Sequence, residues 1–557
     1  VNANAVGITD PDFQKVYTKL KEQYNLMSSL KPHSLTQVDQ IESLAKDIHI
    51  NEFCDNTLYP YQKVDANLCA ALNSFANFNC MRSGKTMTTC AALDLRRQKE
   101  LLKEQQTQKV ILSIVQSTSR QWKRTLATVC PSYKVFDVSQ MSDRKLRWKT
   151  WHDWAEFDGF AIMISNRDKL KIDIGFSPSV KNPIIDKKLI MGLHYGVITD
   201  EFHFCKGTET AQSKAHFFLA KHADFVWGLT GTKMSNNGSD LYGILKYLKP
   251  RVYTSKGIFQ HRFLIEDKQY FNGRTFSQWK RMNPDTQPEL SGILYMLSVE
   301  RQESEVLHWV PKIQTPEPTL LQMTPKQEKM YTTMLHDMEM EINDEFISMP
   351  NAVSLRSKLL QIGSAPQSVD TKMVDLGNKE KWLVQWFQDN LPNGAVPVIF
   401  GRFTNKVLRP MVDRLNNLKH PTEKRNIHVG MIDGQTDDKS LVAEEFQNGK
   451  YDALVCNIKS GGTGLTLDRG DTAIFLERED NLADNIQAEK RIMHTRKDDL
   501  RIKQIINILS VTPSVVSIDL VQWGQQHQKM NWVQEMYPDN MSRHLIEFEK
   551  RFGVKTV

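Results

Sequence analysis

The chain has 557 residues, of which 40% are hydrophobic and 25% are charged, and it carries a net charge of +7. This length predicts several domains. The composition is typical of a globular protein without a membrane partner, since no run approaches the roughly 18 apolar residues of a membrane span. The mild positive charge permits a polyanionic partner without requiring one.

The cysteines and the N-terminus bear on the cellular compartment. An odd number of cysteines without a Cys-x-x-Cys pair predicts a reducing compartment and argues against a disulfide scaffold or structural zinc. The N-terminal sequence VNANAVGITD lacks the basic and apolar segments of a signal peptide. We therefore expect a protein that is not secreted and lies in the cytoplasm of a bacterium or phage-infected cell, or in a eukaryotic nucleus. The seven cysteines are Cys54, Cys69, Cys80, Cys90, Cys130, Cys205 and Cys456.

Polar stretches with helical character form the start of the chain. They predict an N-terminal helical extension over residues 1–50, and Ser34 with Gln37 has the spacing of a capping box before the second helix. We interpret this extension as a packed segment, and it is the candidate surface for a protein partner.

Apolar strand candidates then alternate with helical stretches over residues 51–255 and again over residues 376–512. Such alternation predicts an α/β fold with parallel sheets that are covered by helices on both faces. Residues 256–375 have a helical pattern, as in KQEKMYTTMLHDMEMEINDEF, and residues 513–557 are again helical. The strand candidates are VILSIV (110–115), FAIMI (160–164), YGVIT (195–199), FVWGL (225–229), VPVIF (396–400), IHVGMI (427–432), DALVC (452–456), TAIFL (472–476) and IINIL (505–509).

The stretch Cys80–Thr86 has the pattern of a phosphate-binding loop. The following MTTCAALDL predicts a helix, because it contains good helix formers and no Gly or Pro. Backbone N–H groups and the positive end of the helix dipole bind anions at such a helix start. Lys85 would reach the β- and γ-phosphates, Thr86 would hold Mg²⁺, and Gly84 permits close approach. The full pattern has Gly where this chain has Asn79, so a Gly-Lys-Thr turn without function is the alternative.

Two adjacent carboxylates, Asp200 and Glu201, follow the strand candidate YGVIT. The carboxyl end of a parallel strand is where α/β folds place ligand chemistry. Asp200 would hold Mg²⁺, and Glu201 would orient or deprotonate the attacking water. A solvated turn is the alternative for an Asp-Glu pair alone, but its combination with the Gly-Lys-Thr loop favours a nucleotide site. His203 and Cys205 lie nearby, but two such side chains do not make a zinc site.

The segment SDRKLRWKTWHDW (142–154) interleaves basic residues with Trp148, Trp151 and Trp154. Such a pattern is found on nucleic-acid-binding surfaces. The three tryptophans at i, i+3 and i+6 also fit one stripe of a helix. We favour a packed amphipathic helix over a nucleic-acid surface.

The segment GLTGTKMSNNGSDLYGILKYLKP (228–250) resembles motif III of the Swi/Snf-type ATPases of helicase superfamily 2. It has the Leu-Thr-Gly-Thr start, the Asn-Asn pair and the final Pro of that motif, with Lys233 where the family has Pro. The stretches EVLHWVPKIQTPEPTLLQMTPKQEKMY (305–331) and SLRSKLLQIGSAP (354–366) resemble the next conserved segments of the family.

The other motifs follow in the family's order across roughly residues 55–530. Upstream, LYPYQ (58–62) resembles the segment whose Gln contacts adenine, and SIVQSTSRQWKRTL (113–126) and IMISNRDKL (162–170) resemble motifs Ia and Ib. In the second half, VIFGRFTNKVLRPMVDRL (398–415) resembles motif IV, and IDGQTDDKSLVAEEFQNG (432–449) resembles the stretch after it. NIKSGGTGLTL (457–467) resembles motif V, and QAEKRIMHTRK (487–497) resembles motif VI. SIDLVQWGQQHQKM (517–530) resembles the C-terminal brace.

The resemblance implies two RecA-like domains, 51–255 and 376–512, with a helical region between them (256–375) and a C-terminal helical brace (513–557). It implies that ATP and Mg²⁺ bind in the cleft between the domains. Hydrolysis would drive a monomeric motor along double-stranded DNA through backbone contacts, which carry little sequence information. In its compactness the chain is similar to phage, viral or bacterial members of the family rather than to the large remodelling enzymes.

The resemblance also implies site residues. The catalytic residues would be Lys85, Asp200, Glu201, Arg491 and Arg496. The nucleotide would be bound by Gln62, Arg82, Ser83, Gly84, Lys85, Thr86 and Gly464, and the metal by Thr86 and Asp200. The DNA backbone would be contacted by Ser117, Trp122, Ser165, Lys459, Ser460, Gly461 and Gly462.

Motif VI departs from the family, which has two arginines three residues apart. Arg491 matches the first, but the second position holds His494, which is mostly neutral near pH 7 and lacks the planar guanidinium fork. Arg496 lies two residues further on. If the segment is helical, two residues turn the side chain by about 200° and point Arg496 away from the site, whereas a helix that ends earlier would let it reach in. We expect Arg491 to be a needed finger and prefer Arg496 to His494 as its partner.

Two alternatives stay open. One is a strand-separating DNA helicase or an RNA-directed ATPase, since these enzymes share the same motifs. The other is a non-hydrolysing DNA-binding scaffold, which the departures at Lys233 and in motif VI suggest. The intact Lys85, Thr86, Asp200 and Glu201 argue against the scaffold.

Overall fold

The computed structural model divides the chain into two compact units, which we call the first domain (Val1–His308 with Asn531–Val557) and the second domain (Trp309–Met530). Residues 1–37 of the predicted helical extension (1–50), with the predicted capping box, and the tail beyond residue 534 lie outside the described part of the chain. The described residues are 38–103, 106–178, 182–231, 238–271, 274–306, 313–337, 339–342, 345–348, 352–370, 373, 376–461, 465–493 and 501–534.

A seven-stranded parallel sheet forms the centre of the first domain, in the order β3-β4-β2-β5-β6-β1-β9. All of its strands except the edge strand β3 are largely buried on both faces, which is why the sequence shows them as apolar runs. The strands are β1 Ser74–Asn77, β2 Lys109–Ile114, β3 Lys134–Asp137, β4 Ala161–Asn166, β5 Tyr195–Asp200, β6 Phe225–Leu229 and β9 Ser298–Val299.

Helices cover both faces of this sheet and bury a large apolar core that includes Cys90, Leu112, Trp122 and Trp227. The helices are α1 Val38–Lys46, α2 Glu52–Thr57, α3 Pro60–Ala71, α4 Lys85–Glu100, α5 Ser119–Val129, α6 Arg144–Glu156, α7 Arg167–Asp173, α8 Lys187–Met191, α9 Ala211–His222, α10 Asp240–Leu248, α11 Lys256–Phe263, α12 Gln287–Leu297 and α13 Glu303–Val306.

A six-stranded parallel sheet forms the centre of the second domain, in the order β10-β17-β16-β13-β15-β14. Its strands are β10 Thr319–Gln322, β13 Pro397–Gly401, β14 Val429–Ile432, β15 Ala453–Asn457, β16 Thr472–Phe475 and β17 Gln504–Val511. Its helices are α14 Pro325–Asp337, α15 Ala352–Ser364, α16 Asn378–Asn390, α17 Arg409–Asn416, α18 Lys439–Gln447, α19 Ile458–Gly461, α20 Leu482–Glu489 and α21 Ile518–Gln534.

These two sheets confirm the predicted α/β class, and each of the nine strand candidates lies on a strand. The predicted helical region 256–375 is only partly helical. It contains the antiparallel hairpin of β7 (Leu264–Phe271) and β8 (Arg274–Met282), and strands β9 and β10 of the two main sheets. The helix predicted from KQEKMYTTMLHDMEMEINDEF ends at Asp337, and a second hairpin follows, made of β11 (Glu339–Ile342) and β12 (Glu345–Ser348).

The segment 142–154 forms helix α6, as predicted, but its tryptophans do not share one stripe. Trp151 and Trp154 are buried, whereas Trp148 is 51% exposed. Residues six apart are separated by about 120° around a helix, so Trp148 and Trp154 cannot face the same neighbour. Among the described helices, none is long and apolar enough to cross a membrane.

Candidate nucleotide site

A loop at the carboxyl end of β1 leads into helix α4, which begins at Lys85. Two of its residues have left-handed backbone, Arg82 with φ 65° and Gly84 with φ 78°. A Cβ on Gly84 would lie 2.2 Å from Gln62 Nε2, so the position requires glycine for conformation and for space. This local geometry matches the predicted phosphate-binding loop.

The Lys85 side chain folds over this loop. Its Nζ donates to the carbonyls of Asn79 at 2.9 Å and Cys80 at 3.0 Å. Gly231 lies against the same space, because a Cβ there would be 3.6 Å from Lys85 Nζ and 3.0 Å from Met81 Cγ. The Ser83 hydroxyl is buried without a hydrogen-bond partner in the described structure. A compact cation, a helix start and an unsatisfied hydroxyl therefore meet where an anion would bind.

A buried ion pair holds the start of this loop. Arg301 donates through two nitrogens to Asp65, with Nη2 2.5 Å from Oδ1, and both side chains are almost fully buried. Asn79 Nδ2 donates to Asp65 Oδ2 at 2.7 Å, and the backbone N–H of Cys80 donates to the Arg301 carbonyl at 3.0 Å. Asn79, which replaces the glycine of the full pattern, is thus hydrogen-bonded to the Asp65–Arg301 ion pair.

The two predicted carboxylates lie at the end of β5. Asp200 Oδ2 accepts a hydrogen bond of 3.0 Å from Trp122 Nε1. Glu201 has left-handed backbone, with φ 50°, and its Oε2 accepts from Thr230 Oγ1 at 3.1 Å and lies 3.1 Å from His203 Nδ1. His203 Nδ1 is also 3.0 Å from Thr230 Oγ1, so the three polar groups form one cluster.

The surroundings shift the pKa values of the two carboxyls in opposite directions. Burial and the charge of Glu201 raise the pKa of Asp200 to about 6, against the hydrogen bond from Trp122 and the charge of Lys85. Burial would also raise the pKa of Glu201, but the hydrogen bond and charge of His203 and the charge of Lys85 outweigh it and lower the pKa to about 2. Glu201 is therefore firmly ionised near neutral pH, as an acceptor of a water proton must be.

The donor set suits a magnesium ion. Asp200 supplies carboxylate oxygen and Thr86, in the first turn of α4, supplies a hydroxyl, which are the hard oxygen ligands that Mg²⁺ takes beside substrate phosphates. The raised pKa of Asp200 fits this role, since a cation nearby would favour the ionised carboxylate. The residues present thus fit the predicted metal.

Three predicted contacts have other partners here. Trp122 and Ser165 are fully buried, Trp122 against Asp200 and Ser165 on the Asn166 carbonyl, so neither presents a side chain to DNA. Trp122 lies on the buried side of α5 and Ser165 lies within strand β4, whereas Ser117 is half-buried. Gln62 is buried as well, and its amide accepts from the Tyr59 N–H and donates to the Ser83 carbonyl. In this conformation Gln62 supports the loop rather than facing an adenine.

The second domain holds the remaining predicted residues. Lys459 is exposed and pairs with Glu479 at 3.3 Å, and the backbone of Ser460 and Gly461 continues α19. Arg491 donates from Nη1 to the Leu465 carbonyl at 2.9 Å, beyond the end of α20 at Glu489. Because that helix stops before motif VI ends, the helical geometry that would turn Arg496 away does not apply to residues 490–493. The predicted residues Gly462, Gly464, His494 and Arg496 lie outside the described residues.

The sequence did not identify four residues that complete the site. His203 and Thr230 hold Glu201, and a signal for His203 was its position two residues after the carboxylate pair. Asp65 and Arg301 are 236 residues apart, so no local pattern joins them.

Comparison with known families gives two matches in chain order. The profile described as SNF2-related domain matches residues 79–371, more than half of the chain, and the profile described as Helicase conserved C-terminal domain matches residues 378–496. These matches confirm the resemblance that the motifs indicated.

Curated relatives are similar at low identity. The putative ATP-dependent helicase/translocase YwqA of Bacillus subtilis is 22% identical over 552 residues, which cover 95% of this chain and 55% of that protein. The transcription regulatory protein SNF2 of Saccharomyces cerevisiae is 26% identical over 57% of this chain and 19% of its own length. The probable global transactivator of Orgyia pseudotsugata multicapsid polyhedrosis virus is 20% identical over 64% of this chain and 69% of its own. The chain thus spans about half the length of YwqA and less of the yeast relative.

Among solved structures, the chain is similar to the Sulfolobus solfataricus SWI2/SNF2 ATPase core in complex with dsDNA. The sequence identity is 18%, the match covers 86% of this chain and 96% of that one, and the TM-score is 0.35.

Proposed function

Since this chain belongs to the SNF2-related family of helicase-type ATPases, we propose that it hydrolyses ATP to move along double-stranded DNA without separating the strands. The observation that carries the proposal is that Lys85, at the start of α4, lies close enough to the ionised Glu201, at the end of β5, for its charge to lower the pKa of that carboxyl. A cation for the transferring phosphate and a carboxylate for the attacking water are the two protein groups that phosphoryl transfer to water needs.

In the proposed reaction the residues of the first domain bind and orient the substrate. Lys85 exchanges its carbonyl partners for phosphate oxygens, and the N–H groups at the start of α4 bind the same anion. A bound Mg²⁺, held by Thr86 and Asp200, would neutralise charge on the phosphates. Trp122 fixes Asp200 for this role through its indole N–H.

Glu201 would act on the water. Its carboxylate accepts the proton or orients the water for in-line attack, while Thr230 and His203 hold its Oε2 in place. The low pKa makes Glu201 a weak base, which suits a group that mainly positions the nucleophile.

We propose Arg491 as the arginine that stabilises charge on the transferring phosphoryl group, with Arg496 as its partner. Alanine at Arg491 should abolish most turnover at saturating ATP. Loss of turnover at His494 but not at Arg496 would reverse the choice of partner, and full activity without Arg491 would exclude this role.

We propose that Ser117 and the exposed Lys459 contact DNA phosphates. The backbone of motif V that follows Lys459 would contact phosphates as well. Contacts of this kind position a duplex without reading its sequence. Binding should therefore weaken steeply as salt rises, with little preference among sequences.

The test is steady-state ATPase activity with blunt duplex DNA, single-stranded DNA, RNA or no nucleic acid. The proposal predicts the strongest stimulation by duplex. Stimulation by single strands or RNA and not by duplex would contradict it and indicate a strand-separating or RNA-directed enzyme, and absence of hydrolysis in every case would indicate a scaffold.

A further inference from the structure

Helix α6 carries an exposed basic and aromatic surface that the nucleotide site does not use. We define it as the Trp148 surface, made of Arg144, Lys145, Trp148, Lys149 and His152. With 100° per residue, these five positions span about 140° of the helix circumference and thus lie on one face. Arg144, Lys145, Trp148 and Lys149 are exposed, and His152 is partly exposed.

The opposite face of α6 is firmly anchored. Arg147 pairs with the buried Asp173 at 3.1 Å and donates to the Ser142 carbonyl at 2.8 Å, while Trp151 Nε1 donates to the same carboxylate. Trp154 is fully buried. The Trp148 surface is therefore displayed on a rigid support, which lowers the entropy cost of binding.

Trp148 itself is held in a fixed pose. Its ring stacks on the ring of His152, with centroids 3.9 Å apart and planes inclined by 29°, and His152 Nδ1 hydrogen-bonds to the Trp148 carbonyl at 2.8 Å. His152 covers one side of the indole, yet half of the Trp148 side chain stays exposed. An ordered aromatic ring with an exposed side is a platform for another flat ring.

Charge identifies the class of the partner. The Trp148 surface contains three exposed cationic side chains, those of Arg144, Lys145 and Lys149, and no acidic one. The nearby acidic residues Asp143, Asp153 and Glu156 lie at other positions around α6 or at its two ends. Lys145 and Lys149 form no ion pair among the described residues. A polyanion that also contains flat rings satisfies both the lysines and the indole.

The loop before α6 contacts motif Ia, which contains the proposed phosphate contact Ser117, and this step rests on the proposed function. Ser139 in that loop lies 3.1 Å, oxygen to oxygen, from Ser119 of the motif Ia helix. Its carbonyl accepts from Asn166 Nδ2 of motif Ib at 2.7 Å. These buried contacts fix the loop before α6 against motifs Ia and Ib of the first domain.

We propose that the Trp148 surface binds unpaired nucleotides of a nucleic-acid strand, with a base stacked on Trp148 and the backbone phosphates on Lys145 and Lys149. Bases inside a duplex are already stacked on their neighbours, so an indole on a rigid helix meets a free base face only where a strand is unpaired. The Trp148 surface would thus bind single-stranded nucleic acid in addition to the duplex bound by the proposed phosphate contacts.

The experiment measures fluorescence anisotropy of a labelled oligothymidylate of about 20 nucleotides, which exceeds the size of one such site. W148A should weaken binding by about tenfold, and W148F should restore much of the loss because phenylalanine also stacks. K145E/K149E should weaken binding and lower the slope of log affinity against log salt by about one to two. L146A, an exposed apolar residue on another side of the same helix, is the matched control and should bind as the unaltered protein does.

Other outcomes would overturn the inference. W148A with unchanged affinity would exclude stacking, and equal competition by poly-glutamate at matched charge would point to an acidic protein partner. Duplex-stimulated ATPase activity is measured on the same variants and should be unchanged in W148A. A failure of duplex stimulation in the unaltered protein would refute the proposed function alone, because the oligothymidylate measurement contains no duplex and no ATP.

Discussion

Each domain has a glutamate just beyond the carboxyl end of a parallel strand, and the surroundings shift the pKa values of the two in opposite directions. Glu201 follows β5 and has its pKa lowered to about 2. Glu477 lies two residues beyond β16, and burial raises the pKa of its carboxyl above the ordinary value, against the charge of Lys379. The same residue type at a similar place in a similar sheet thus has two different electrostatic environments.

The partners explain this difference. Glu201 receives hydrogen bonds from Thr230 and His203 and feels the charge of Lys85. Glu477 Oε2 accepts a backbone N–H from Arg402 at 2.9 Å, and the ammonium of nearby Lys379 is bound by Asp519 at 2.7 Å. Position at a strand end therefore does not set the pKa of a carboxyl. The hydrogen-bond donors and cations around it do.

The largest effect in this comparison should come from the ion pair that supports the first site. Arg301→Met leaves Asp65 buried and unpaired, which should cost about 3–5 kcal/mol of unfolding free energy. It should also weaken ATP binding, because Asp65, which accepts from the Asn79 side chain, is no longer held in place by Arg301. Chemical denaturation and ATP titration measure the two effects. The double variant Asp65→Asn/Arg301→Met should recover stability, and a single variant as stable as the original protein would disprove the support role.

Lys85→Ala removes a cation that contributes, after His203, to the lowered pKa of Glu201 and that would bind phosphate. We expect kcat/KM for ATP to fall by about 10²–10³, the usual loss for one preorganised charge-stabilising donor. The unfolding free energy should change by no more than about 1 kcal/mol, since Lys85 bonds only to two loop carbonyls in the described structure. Unchanged hydrolysis in this variant would refute the site.

His216 shows what burial does to a titratable group without a role in the site. Burial lowers the pKa of His216 to about 4, while its two ring nitrogens contact the Ser113 hydroxyl at 2.8 Å and the Gln212 carbonyl at 2.7 Å. The unfolded chain takes up the proton more readily, so this contribution to stability is complete above pH 6.5 and falls between pH 6.5 and 4, by about 3 kcal/mol. In His216→Gln that pH dependence should disappear from denaturation curves. Parallel curves for the two proteins over this range would exclude it.

Glu477→Gln should have the smallest effect. A raised pKa means that the folded state holds the proton more tightly, so the stability contributed by Glu477 declines as pH rises above its ordinary value of 4.5. Glutamine keeps the acceptor for the Arg402 N–H but does not titrate. The variant should gain stability relative to the original protein as pH increases from 4.5 upward, by about 1 kcal/mol or less. A relative loss with rising pH would have the wrong sign.

Features that depend on residues close together in the sequence could be predicted, whereas those that depend on distant residues could not. The strands could be predicted because burial on both faces of a parallel sheet imposes an apolar run, and Lys85, Asp200 and Glu201 because each belongs to a local motif. The hairpin at Leu264–Met282 was missed since LIEDKQYF lacks a clear alternation of apolar and polar residues. The second hairpin was predicted as helix because its Glu and Met residues are good helix formers.

The rest of the site depends on distant contacts that the sequence does not display. The motif Ia tryptophan, Trp122, was assigned to DNA, but its indole packs into the core and donates to Asp200, 78 residues away. Gln62 bonds to the loop 21 residues later. Such contacts arise only when the sheet brings separate strand ends together, so a motif indicates which segments meet without showing which side chain bonds to which.

The most direct test of the account is single-turnover hydrolysis of bound ATP by Glu201→Gln and Glu477→Gln, measured with Mg²⁺ and duplex DNA. Glutamine at position 201 preserves shape but removes the carboxylate that handles the water, so ATP affinity should stay within about threefold while hydrolysis slows by about 10²–10⁴. Glutamine at position 477 should leave both within about twofold. Equal hydrolysis rates in the two variants would contradict the assignment of Glu201 as the catalytic carboxylate.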